Sequence, residues 1–249
     1  MTALAHPAPD ARPSLSRLTA VELRKMTDTR AGRWLLFVVA LGAVAGLAGT
    51  LLSSHPTDHT MARFFTICGL APAILLPVVG ILAVTGEWTQ RTALTTFALV
   101  PARRRVVAGK LLAGCALALA AVVVCLLLAA TGNAIAGGRW NLDAARLAGG
   151  TAYMLISMLA GLALGLLLMQ SAPAIVVYFV VPMAVGMFVE VIPSLRGPSQ
   201  WFELGQATTP LGDGSMAAGD WPRLAVALAI WIGIPLAAGL LRLRRRELS

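Results

Sequence analysis

Charge is scarce in this chain. Asp, Glu, Lys and Arg make up 12% of its 249 residues, against about 25% in an ordinary soluble domain. That deficit excludes a water-facing globular surface over most of the length. Lysine is scarcer still: Lys25 and Lys110 are the only two among 20 basic residues. Abundant Ala and Gly beside this arginine excess fit a GC-rich coding sequence. The three cysteines, Cys68, Cys115 and Cys125, form no Cys-x-x-Cys pair and sit inside apolar runs. They read as small buried hydrophobes, which excludes a disulfide framework. There is no phosphate-binding Gly-x-x-x-x-Gly-Lys-Ser/Thr loop, no His-Glu-x-x-His and no Gly-x-Ser-x-Gly. The chain therefore has no recognised means of hydrolysing ATP, and neither an enzymatic activity nor a cofactor of its own is expected. All three histidines lie outside the apolar runs. His55, Asp58 and His59 invite a metal reading, but Pro56 between them makes helical presentation doubtful, and no metal is expected.

What is present is apolar: 58% of the residues are hydrophobic. An apolar helix needs about 20 residues to cross the bilayer core. Six runs qualify, at about 34–52, 64–85, 111–131, 147–169, 172–192 and 224–241. In lipid each must be a helix, because only a helix satisfies its own backbone hydrogen bonds. The apolarity does not alternate, which excludes a membrane β-barrel. The expected fold class is an all-α membrane protein with six transmembrane helices. The link between the fourth and fifth runs, Gln170 to Pro173, is short, and Pro173 suits the first turn of a new helix.

The net charge of +9 could suggest nucleic acid. Its position points to the membrane instead, and no nucleic-acid partner is expected. One set of span ends carries Arg12, Arg17, Arg24, Lys25, Arg30, Arg33, Arg91, Arg103, Arg104, Arg105, Lys110, Arg242, Arg244, Arg245 and Arg246. The other carries Arg63, Arg139, Arg146, Arg196 and Arg223. The positive-inside rule then places both termini and the central loop in the cytoplasm, with the chain in the plasma membrane.

Residues 1–13 hold three prolines and read as a disordered tail. After them Thr19 and Glu22 match a capping box, Ser/Thr-x-x-Glu. With Arg24 and Lys25 they suggest an amphipathic helix on the inner leaflet; a plain basic flank is the alternative. A cleavable signal peptide is not expected, because the first apolar run exceeds the usual 7–15 residues.

The stretch Gly86–Lys110 divides at Pro101. Glu87 to Leu99 is helix-compatible, with Leu94, Phe97 and Ala98 on one side. A second helix is expected to start near Ala102 and enter the third span. Arg103, Arg104 and Arg105 then stand where the helix macrodipole disfavours cations. Anionic headgroups or an acidic partner protein would offset this. The short helix before them favours a protein-docking surface.

Other features have plainer readings. Gly42/Gly46 and Gly161/Gly165 are Gly-x-x-x-Gly pairs, read as intramolecular packing. Pro72, Pro77, Pro182 and Pro235 would kink their spans, as hinges or as packing features. Glu190, near the outer end of the fifth span, is a possible outer-gate residue or a group emerging into the interface.

The residues Glu22 and Lys25 in VELRKMTDTR, with Glu87, Thr92, Pro101, Arg103 to Arg105 and Lys110 in the central loop, carry a resemblance. The chain resembles the type-2 membrane permease subunits of ATP-binding-cassette exporters, in their compact six-span bacterial form. The resemblance implies a connecting helix at the N-terminus and a coupling helix in the central loop. It implies a separate ATP-hydrolysing subunit docked there, a second permease copy (a homodimer) or a paralogue, and export of a small or lipid-like molecule between the two permeases. Two other readings stand beside it: a self-sufficient secondary transporter, and a non-transporting membrane scaffold or sensor. Span centres almost free of charge weigh against the first of these.

Overall fold

A computed structural model describes residues 14–52, 59–89 and 103–245. Among these the chain is all-helical, and six helices are long and apolar enough to cross a membrane. Helix α1 spans Leu15–Asp28 and α2 Arg30–Leu51. Helix α3 spans Met61–Thr89 and α4 Arg103–Ile135. Helices α5 and α6 are Ala144–Leu168 and Ser171–Val191. Three short helices follow, α7 Arg196–Phe202, α8 Leu204–Gly212 and α9 Asp220–Leu228, and α10 is Ile234–Arg245. A π-helical turn, Ala229–Gly233, joins α9 to α10 into the sixth span.

Local chemistry explains the breaks. Ser14 caps α1, its hydroxyl accepting from the Arg17 N–H at 3.2 Å. This corrects the capping-box reading: Thr19 lies inside the helix and donates its hydroxyl to the Leu15 carbonyl instead. The helix starts one turn earlier because Ser14 is itself a good N-cap, and Glu22 is then free to turn inward. Thr29 stops α1 in extended geometry and caps α2, accepting from the Gly32 N–H at 3.1 Å. Asp143 caps α5 by accepting from the Arg146 N–H at 2.7 Å. Between α5 and α6 only Met169 and Gln170 intervene, with Met169 in the left-handed region at φ 54°. The fourth and fifth runs are thus two separate helices. The π turn sits just ahead of Pro235, which has no N–H and would clash with the carbonyl one turn back. Widening the helix there, with the Ile234 N–H reaching the Ala229 carbonyl, accommodates the ring. Pro72 and Pro77, by contrast, are fully buried inside one continuous helix, as packing elements.

Helix α3 is the axis of the bundle, touching α2, α4 and α5. Its partners come close at glycine. A Cβ on Gly161 would lie 2.3 Å from the Pro77 carbonyl oxygen, and one on Gly42 would lie 2.6 Å from the Ala71 Cβ. Both Gly-x-x-x-Gly pairs therefore serve helix packing within the chain. One apolar cluster, including Met26, Leu76, Val84, Val107, Met158, Leu162 and Leu243, fills the end that carries α1. A second, including Phe64, Phe65, Cys68, Val122, Cys125 and Met154, lies toward the other end. The reading of the cysteines holds for Cys68 and Cys125, which are buried; Cys115 is half-buried. Helix α6 is largely bare: Val176, Val180, Met183 and Met187 are all exposed, as suits a surface against lipid tails.

The turns sort the charges by end. The α1 end gathers the close of α3, the start of α4, the α5–α6 turn and the close of α10. Thr85 of α3 is 2.7 Å from Ser171, and Arg242 donates to the Leu167 carbonyl. The opposite end holds a Thr60–Arg139 bridge and α7 to α9. There a Cβ on Gly149 would meet the Leu211 carbonyl at 1.7 Å, so α8 seats directly on α5.

Candidate functional site

Where α1 lies on the bundle, four charged side chains close a ring. Glu22 and Lys25 are three residues apart and so share a face of α1. Glu87 comes from the last turns of α3 and Lys110 from the third turn of α4. The Lys110 ammonium donates to Glu22 Oε2 at 2.5 Å, Glu87 Oε1 at 2.9 Å and the Ala83 carbonyl at 3.1 Å. Lys25 donates to Glu22 Oε1 at 2.7 Å and Glu87 Oε1 at 2.8 Å. Each acid thus touches both lysines and each lysine both acids.

The ring is balanced and dry on its inner side. Glu22 and Lys110 are 4% and 5% exposed, a burial these residue types almost never reach unpaired. All three Lys110 donors have acceptors, so no N–H is orphaned. Lys25, at the rim, is half-exposed. Burial works against its charge, but the Glu22 and Glu87 carboxylates outweigh that and raise its pKa above the ordinary 10.5. The two lysines of the chain are both in this ring. A compact ammonium with three rotatable donors fits between two carboxylates and a helix carbonyl, where the planar fork of arginine would not. Composition alone explains arginine elsewhere; packing explains these two exceptions.

The structure brings together Glu22, Lys25, Glu87 and Lys110 from the residues singled out in the sequence, and leaves others apart. Arg24 is exposed and pairs with Asp28, at 3.4 Å. Arg104 is exposed and Arg105 half-buried, both on the first turn of α4, which Arg103 opens. Thr92, Phe97 and Pro101 lie outside the described residues, as do the tail 1–13, His55 and Asp58. His59 takes a structural part, its Nε2 3.1 Å from the Thr50 carbonyl and its ring stacked on Phe64. Glu190 is exposed near the close of α6, at the end opposite the ring.

One further feature escaped sequence reasoning. A cavity of about 380 Å³ at the far end lies between α3, α5 and α8. Phe65, Leu70 and Met154 supply its apolar wall, and Thr66, Tyr153, Arg146 and Asp213 its polar one. Nearby, Glu203 is partly buried; burial raises its pKa, and donation from Gln206 partly opposes the shift. No family model matches this chain, and no curated protein matches its sequence.

Proposed function

We propose that the chain is the membrane-spanning subunit of an ATP-driven exporter, with ATP hydrolysed by a separate subunit docked at the α1 end. In this reading the α1 end faces the cytoplasm and the bilayer is the plasma membrane. A second copy or a paralogue completes the pathway, and the cargo is a small or lipid-like molecule. The chain itself carries out no hydrolysis and holds no cofactor.

The observation that carries this reading is the four-charge ring. It ties α1 to α3 and α4, the two helices that flank residues 90–102. A displacement imposed on that segment by a docked protein would be felt by α3 and α4 and, through the ring, by α1. Paired charges of which two are almost fully buried transmit such displacement well: they cannot slip without exposing an unpaired charge. The basic turn Arg103–Arg105 adds a surface complementary to an acidic partner. The distribution of basic residues between the two ends supports the orientation. A self-sufficient secondary transporter fits less well, because such carriers place charged or broken-helix sites near the midplane, and the ring lies instead near the start of α4.

The test is reconstitution. The tagged chain, purified in mild detergent, should carry an ATP-hydrolysing protein with it, and vesicles of the pair should accumulate cargo only with ATP. Glu87→Gln should leave the pair assembled and hydrolysing ATP while export falls about tenfold. Ion-gradient-driven transport by the chain alone would refute the proposal.

A further inference from the structure

A groove of about 650 Å³ runs along the seam between α1 and α4. Its floor is apolar and shallow, made by Ala116, Leu117 and Ala120 of α4 together with Val21 of α1. Ala116 and Ala120 are four residues apart and so sit one above the other; their small side chains leave the hollow that larger residues would fill. Arg17 and Arg24, seven residues apart on α1, stand exposed at its edge. Val21 lies midway between them along the same face. The one acid at the edge is Asp28, engaged by Arg24 at 3.4 Å through its Nε. Both arginine side chains are otherwise solvent-exposed, and no partner for the Arg17 guanidinium is found among the described residues.

The depth of the groove is set by α4. Its 33 residues measure roughly 50 Å at the usual rise, against a hydrocarbon core about 30 Å thick. About a dozen residues must therefore project from the core. Arg103, Arg104, Arg105 and Lys110 place that excess at the α1 end. Ala116 and Ala120 then fall just inside the hydrocarbon, and the two arginines just outside it, at the headgroups.

We propose that this groove binds one anionic phospholipid, its phosphate between Arg17 and Arg24 and an acyl chain along Val21, Ala116, Leu117 and Ala120. The two guanidinium groups present phosphate-matching forks, and the floor offers the apolar contact that a free phosphate would lack. A bound lipid would fasten the outer face of α1 just as the charge ring fastens its inner face. The inference rests on the membrane placement of the helices and not on the exporter reading, so either can fail alone.

The test is native mass spectrometry of the full chain, released from micelles doped with equal phosphatidylglycerol and phosphatidylcholine. The wild type should retain a single phosphatidylglycerol in preference to phosphatidylcholine. Arg17→Gln with Arg24→Gln should reduce that retention about tenfold. Ala120→Leu, which fills the floor and leaves both arginines, should reduce it comparably. Arg30→Gln with Arg33→Gln removes the same charge from α2, away from the groove, and should leave retention intact. Circular dichroism of each variant checks that the helices persist. Unchanged retention in either groove variant, or equal loss in the α2 variant, would overturn the proposal. Displacement by inorganic phosphate as readily as by added phosphatidylglycerol would overturn it too, since the site would then read phosphate without its acyl chain.

Discussion

Lys110 shows what a single residue can hold in place. Among the described residues, its ammonium is the one cation that reaches Glu22 Oε2, Glu87 and a helix carbonyl together. Replacing it by Ala leaves Glu22 buried with Lys25 alone, and removal of one member of a buried charge pair costs about 3–5 kcal/mol. Lys110→Ala should therefore lower the thermal midpoint in detergent by many degrees. Glu22→Gln combined with Lys110→Gln, which keeps the ring neutral, should regain much of the loss. If the single and double variants melted together, the ring would not be stabilising as a unit. Lys25 has a pH signature. Its folded pKa is raised, so its contribution is fully present below the unfolded value and disappears only as pH rises through the folded one. Because it is half-exposed, that contribution is small. Melting followed against pH should show no loss from Lys25 at neutrality and a modest one above about 10.5, absent in Lys25→Met. A Lys25-dependent loss beginning near pH 8 would contradict the pairing.

At the scale of elements, contact distance decides which glycines matter. Gly161 faces the Pro77 carbonyl, a backbone atom that cannot swing aside. Gly161→Ala should force α3 and α5 apart, at a cost of about 1–3 kcal/mol, as overpacking does. Gly186 of α6 has nothing within 4 Å of a built Cβ, and Gly186→Ala should be neutral or slightly stabilising. Comparing the melting of the two variants checks this; equal effects would mean that the α3–α5 approach is not tight. The same contrast shows what sequence could reveal. Six spans were legible because lipid imposes length and apolarity on every crossing helix. The brevity of the 169–170 link was legible too, since proline marks a helix start. The ring was only half legible. Glu22, Lys25, Glu87 and Lys110 each stood out as charges beside apolar runs. Their pairing joins positions 88 and 62 residues apart, and no local period encodes that. The α1 start was misplaced because two hydroxyl residues, Ser14 and Thr19, compete as caps, and only packing shows that Glu22 is needed inward. The α1–α4 groove left no sequence signal, since alanines in an apolar run look the same whether they face a void or a neighbour.

For the whole molecule, the division of basic residues between the two ends makes the orientation testable. Arg104 on the first turn of α4 and Arg139 beyond its last turn are both exposed, and the helix between them crosses the bilayer. The proposed orientation puts Arg104 in the cytoplasm and Arg139 outside. The native thiols are a weak background: Cys68 and Cys125 are buried and Cys115 is half-buried within α4. Arg139→Cys in intact cells should react with a membrane-impermeant maleimide, whereas Arg104→Cys should react only after the cells are opened. Losing one of many inner arginines should not invert the chain, because orientation follows the summed excess near the span ends. The reverse pattern would place the ring and the basic turn of α4 outside, beyond the reach of any ATP-hydrolysing partner. Labelling of both sites in intact cells would mean that α4 does not cross at all, and the six-helix membrane reading would fail with it.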